Sequence, residues 1–207
     1  MRKIAALAAA LVVWDLLPLR TALASGVDLA DCPVGRQPYS IHSPLFDLLI
    51  DPAARAVVAR LEPELLKSPV GEWSTTLPSF AMLMSPQSML ARRPDGSARL
   101  AALESALARV RVSQSAAQRR CARYDNEPPA LPSPLSRPAI LVYGKVTGFL
   151  HVQSPDAAYR AVEQIAARRG WSIVRTNNAA VFNERDLAQF DTVVWNNVSG
   201  DGLTLSQ

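Results

Sequence analysis

The 207 residues carry 22 Lys and Arg against 18 Asp and Glu, a formal charge of +4. Residues 1–24 hold Arg2, Lys3 and Arg20 against Asp15, so a chain processed after Ala24 keeps about +2, which argues against a polyanionic partner such as nucleic acid. The chain has two histidines and two cysteines and no CxxC or HExxH motif, which argues against a structural metal site.

Met1-Arg-Lys followed by the apolar run Ile4 to Trp14 and the A-x-A pattern Ala22-Leu-Ala24 reads as a signal peptide, residues 1–24. A spanning helix needs roughly 20 apolar residues, so the run is short for a membrane span, although an uncleaved anchor is the alternative. Export places the mature protein in a bacterial periplasm or outside the cell, with no membrane attachment after cleavage. There an even pair of cysteines, Cys32 and Cys121, can bridge; two unpaired thiols are the other reading.

Residues 25–126 read as a helical region. Ser43-Pro44 and Asp51-Pro52 each look like an N-cap followed by a proline in the first turn. They open apolar stretches over Leu45 to Ile50 and over Val57, Val58 and Leu61, and Pro63 ends the second. Leu100, Leu103, Leu107 and Val110 recur at spacings of three, four and three, which predicts a helix from about Ser97 to Val112. Arg109, Arg111, Arg119, Arg120 and Arg123 cluster without interleaved aromatic residues, and a solvated helix face is the expected reason. Residues 127–138 (EPPALPSPLSRP) contain five prolines and are expected to be an extended, semi-rigid linker.

From residue 139 the pattern changes. Ala139 to Tyr143 is a continuous apolar run, as expected of a strand buried on both faces. Ser154-Pro155 opens a helix whose inner face is Ala158, Val162, Ile165 and Ala166, closed by Gly170. Trp171 to Arg175 is a second strand, Asn183 caps a helix from Glu184 to Phe190, and Thr192 to Trp195 is a third strand. Short βαβ connections imply right-handed crossovers and parallel pairing. Ligands of such sheets bind outside the carboxyl ends of the strands, here Gly144 to His151 and Asn196 to Asp201.

These turns carry a resemblance. Lys145, Gly148, Phe149 and His151 stand in a K-x-x-G-F-x-H pattern. Asp191, Val193, Val194, Trp195, Asn197, Gly200 and Asp201 stand in D-x-V-V-W-x-N-x-x-G-D. Together with Phe182-Asn-Glu184 and Leu187 they resemble the trehalose-utilisation (ThuA-like) family of the class I glutamine-amidotransferase-like fold. The resemblance implies an α/β domain, residues 139–207, built as a partial flavodoxin-like βαβαβ parallel sheet. It covers only the opening part of that family's domain, so a truncated domain is expected, or a second chain that completes the sheet. It also implies a link to the use of a trehalose-like carbohydrate.

Glutaminase chemistry would need a nucleophilic cysteine on an elbow after a later strand, and no cysteine follows Cys121. No cofactor is expected; Gly200-Asp-Gly202 is too short for a phosphate loop. The candidate general base is His151, beside a helix N-terminus; a surface histidine bonded to backbone is equally open. The candidate ligand contacts are Lys145, Asn197 and Asp201, whose charge, amide and carboxylate suit sugar hydroxyls but equally suit loop and capping roles. A second, shorter likeness spans Pro44 to Leu65. It resembles a helical module of exported bacterial enzymes acting on carbohydrates and esters, and an ordinary helical hairpin explains it at least as well. The functions in contention are a ThuA-like sugar-related protein, a non-catalytic association protein, and an inactive fragment.

Overall fold

The structure, a computed structural model, describes residues 28–67 and 73–207, so the expected signal peptide lies outside the described residues. The helical region contains α1 (Leu45–Ile50), α2 (Pro52–Leu61), α3 (Pro86–Leu90), α4 (Gly96–Leu107) and α5 (Gln114–Cys121). Asp51 caps α2 as expected, accepting a hydrogen bond from the Ala53 amide at 2.8 Å, with Pro52 in the first turn. Ser43 does not cap α1. Pro44 occupies that position, and the Ser43 hydroxyl instead accepts from the Ser40 amide at 3.0 Å. α2 stops at Leu61 and Pro63 to Leu66 tightens into a 3-10 turn, because a proline disfavours helical geometry in the residue before it.

Leu100, Leu103 and Leu107 of α4 face inward onto Leu45, Leu48, Val58 and Leu90, and all seven are buried. The helix ends at Leu107, short of the expected Val112. Gly96 allows its first turn to approach α3: a Cβ there would lie 2.1 Å from the Leu90 carbonyl oxygen. Cys32 and Cys121 form a disulfide across 89 residues, with α-carbons 5.8 Å apart, and Tyr124, Leu29 and Val34 pack around it.

The expected solvated arginine face is half right. Arg109, Arg111 and Arg119 are exposed, but Arg120 and Arg123 are among the most buried side chains of the protein, at 2% and 4% exposure. Their partner is Asp47 on α1, itself without exposed surface. A helix-surface reading failed because a carboxylate distant in sequence takes up both charges.

Residues 127–138 form neither helix nor strand, which their prolines explain. They are not a free spacer, however, because Leu131 and Leu135 pack against the apolar cluster of the sheet.

The sheet comprises β1 (Ala139–Tyr143), β2 (Ser172–Thr176) and β3 (Thr192–Trp195), all parallel, in the order β2-β1-β3. α6 (Ser154–Arg169) links β1 to β2, and α7 (Glu184–Leu187) precedes β3. All five residues of β1 are buried, as a central strand requires. Gly170 closes α6 in the left-handed region at φ 69°, and Asn183 caps α7 by accepting from the Asp186 amide at 3.0 Å. α7 is four residues long rather than running to Phe190, and a 3-10 turn at Ala179 to Val181 precedes it. Phe190 still faces inward, with Leu187 beside it.

The inner face expected for α6 is only partly covered. Ala166 is buried and Val162 half-buried, whereas Ala158 is exposed and Ile165 is 42% exposed. Among the described residues, β2 and β3 each have one unpaired edge, and no residue of β3 is fully buried.

Candidate ligand cleft at the carboxyl ends of the strands

The turns after β1 and β3 are joined into one unit. The Ser199 carbonyl accepts from the amides of Thr147 at 2.8 Å and Gly148 at 3.0 Å, and the Ser199 amide donates to the Lys145 carbonyl at 3.3 Å. The Ser199 hydroxyl accepts from the Phe149 amide at 3.0 Å, and the Thr147 hydroxyl donates to the Asp201 carbonyl at 2.9 Å. Two backbone features allow this closeness. Gly200 sits at φ 84°, where a Cβ would lie 2.3 Å from the Thr147 hydroxyl. Asn197 adopts φ 54°, a conformation that asparagine tolerates better than most residues.

The helical region docks onto this unit. The Ser79 amide donates to the Thr147 carbonyl at 2.9 Å, and the Phe80 ring meets Phe149 edge to face at 6.1 Å. A Cβ on Gly148 would lie 2.7 Å from the Leu83 side chain, which would have to turn aside. Two adjoining concavities result. The larger, about 340 Å³, is lined by Phe80, Leu83, Phe149, His151, Asn197, Val198 and Ser199. The smaller, about 190 Å³, is bounded by Tyr143, Lys145, Thr147, Trp195 and the turn from Val198 to Leu203.

The candidate residues divide between these spaces. His151 and Asn197 line the larger one; His151 is exposed and stands three positions before Ser154, the first residue of α6, its ring edge to face with Phe149 at 4.7 Å. The Asn197 amide nitrogen has Asn196 Oδ1 at 3.4 Å, and Asn196 in turn donates to the Pro155 carbonyl at 2.8 Å. Lys145 and Asp201 line the smaller space, and each is already committed to the helical region. The Lys145 ammonium pairs with Asp125, which also accepts from the Ala179 amide at 2.7 Å. Asp201 Oδ2 accepts from Arg123 at 3.1 Å and from the Tyr124 hydroxyl. Both ionic groups of the cleft thus face opposite charges.

Arg123 sits at the centre of this arrangement. Its guanidinium donates to Asp47 Oδ1 at 2.7 Å and to Asp201, while Arg120 approaches Asp47 Oδ2 at 3.4 Å and donates to the Gln37 carbonyl at 2.8 Å. Burial alone would lower the Arg123 pKa, but the charge and hydrogen bonds of Asp47 more than offset this and hold it above the ordinary range. Burial pushes the Tyr124 hydroxyl well up, and its bond to the Asp201 carboxylate adds to the shift, so it stays a donor at neutral pH. Tyr143 is likewise raised, by burial first and then by the charge of Asp125.

The turn-by-turn reading missed Phe80 and Leu83, because nothing local distinguishes a core residue from a cleft wall belonging to another element. It also missed the aromatic cluster in which Trp195 and Tyr143, both lining the smaller space, meet edge to face at 5.1 Å and Trp195 stacks on Phe182 at 5.2 Å. Among the described residues, no group of three or more His, Cys, Asp and Glu side chains is placed to hold a metal ion.

No family model, no curated protein and no solved structure matches the chain. The feature of the molecule that bears on function is the cleft. It offers aromatic faces, an imidazole, an amide and a hydroxyl, with its formal charges internally balanced. That chemistry suits a neutral, hydroxyl-rich molecule better than a free anion or cation.

Proposed function

We propose that this is an exported protein of ThuA-like descent whose cleft binds a carbohydrate of disaccharide size. In this reading residues 139–207 are the opening strands of a flavodoxin-like domain. The observation that carries the proposal is the joining of the two strand turns, where His151, Asn197 and Ser199 share a cavity with Phe80 and Phe149. Ligands of parallel sheets bind at this end of the strands. Asn197 and Ser199 supply donors and acceptors for hydroxyl groups, and the aromatic rings supply apolar walls for the sugar ring. His151 is the group that would accept a proton from a bound hydroxyl. The Cys32–Cys121 disulfide is compatible with an oxidising compartment, and no helix among the described residues is long and apolar enough to cross a membrane.

Calorimetric titration of trehalose, maltose and sucrose tests this reading. Saturable binding to the wild type that weakens in His151→Ala and Asn197→Ala is expected. The absence of saturable binding to the intact protein would remove it.

A second reading, association with another chain, is favoured by the edge of β3 that is unpaired among the described residues and by Trp195, which is 52% exposed. Sedimentation at increasing concentration would support it if the protein assembles and Trp195→Lys does not.

A further inference from the structure

We infer that Arg123 is the positioning residue through which the helical region sets the conformation of the cleft. The guanidinium lies between two carboxylates from different parts of the fold: Asp47 on α1 and Asp201 on the turn after β3. The two ends differ in burial. The Asp47 side chain has no exposed surface, while the Asp201 side chain is 41% exposed, so one end is fixed in the core and the other reaches the rim of the cleft.

Asp201 then passes the constraint on. Its carbonyl accepts from the Thr147 hydroxyl, and Thr147 and Gly148 hold the Ser199 carbonyl at the junction of the two concavities. Arg123 itself is anchored through α5. It follows Cys121 by two residues, and Cys121 is disulfide-bonded to Cys32; Arg123 Nη1 also donates to the Arg120 carbonyl at 3.0 Å. Tyr124, the next residue, donates to the same Asp201 oxygen, so two adjacent side chains grip one carboxylate. An aspartate placed only to contact a ligand would not need a buried cation and a buried phenol on one oxygen. The arrangement assigns Asp201 to the support of the cleft, with Asn197 and Ser199 as the residues it places.

This inference rests on the proposed use of the cleft for its functional consequence, but the relay is measurable without ligand. Hydrogen exchange of peptides covering residues 196–203 should accelerate at least roughly tenfold in Asp201→Ala, as expected from losing charge-assisted hydrogen bonds at a site that opens locally. Peptides from α4 and β2 should stay within about twofold of wild type. Arg123→Met should accelerate the same loop but risks unfolding the helical region by leaving Asp47 with Arg120 alone, so Asp201→Ala is the deciding variant. Asp201→Glu, which keeps the carboxylate, should restore part of the protection. Unchanged exchange in residues 196–203, or equal acceleration throughout the chain, would overturn the inference. Should the wild type bind no sugar while the loop responds alone, the carbohydrate reading fails and the relay stands.

Discussion

In the helical region Leu45, Leu103 and Leu107 have no exposed surface, and buried charge meets buried charge at Asp47, Arg120 and Arg123. In the sheet only β1 is buried along its length; Ile165 on α6 and Trp195 on β3 stand 42% and 52% exposed. One region closes its own core, and the other depends on neighbours for cover. Part of that cover comes from the helical region itself, through Ser79, Leu83, Asp125 and Arg123. The difference places the closed apolar core in the helical region and the open chemistry mainly in the turns of the sheet.

The comparison is broken most severely by removing the charge at the centre of the helical core. Asp47→Ala leaves Arg120 buried without a carboxylate and Arg123 with Asp201 alone, and should cost about 3–5 kcal/mol in urea unfolding, the usual penalty for breaking a buried charge pair. A loss below about 1 kcal/mol would mean that water reaches the site. Next comes the disulfide. In the chain-entropy account, Cys32→Ser with Cys121→Ser removes a cross-link over 89 residues and should cost about 4 kcal/mol.

A matched pair of apolar truncations sharpens the contrast directly. Leu103→Ala, in the closed core, should destabilise by about 2–5 kcal/mol, whereas Ile165→Ala, on the open face of α6, should change stability by less than about 0.5 kcal/mol. Equal costs would show that α6 is covered in solution.

The smallest expected effect depends on pH. The Ala139 amide, and then Arg137, hold the Asp191 carboxyl below the usual range. A carboxyl lowered in the folded state stabilises fully above its unfolded pKa of about 3.9 and loses that contribution as pH falls through the folded value. Unfolding titrations from pH 6 to pH 2 should therefore show a shallower acid loss in Asp191→Asn than in wild type. Identical acid limbs would show that the bond at the start of β1 carries no stability.

Much of this was legible where the signal is local. The run Ala139 to Tyr143 announces a strand buried on both faces, and Asp51, Gly170 and Asn183 announce their caps, because each acts on backbone groups within a few residues. The failures share a physical cause. Asp47 and Arg123 lie 76 residues apart, so a pattern read along one helix takes a buried pair for a solvated face. The covered face of α6 is narrower than its apolar face, because periodicity marks what is apolar, not what a small sheet covers. At the cleft, turn chemistry points to His151, Asn197, Lys145 and Asp201 alike, and all four line it; the partners of Lys145 and Asp201, Asp125 and Arg123, are ones that only the fold brings near. Phe80 and Leu83 line the same cavity from another region and left no mark in the motif.

The most direct test of a shared cleft is the amide spectrum of the intact, oxidised protein during titration with trehalose. Concerted, saturable shifts are predicted at Phe149, His151 and Asn197 to Ser199 on the sheet and at Phe80 and Leu83 on the helical region. Saturable shifts confined to one region and absent from the other, or no saturable shift at any of these residues, would contradict it.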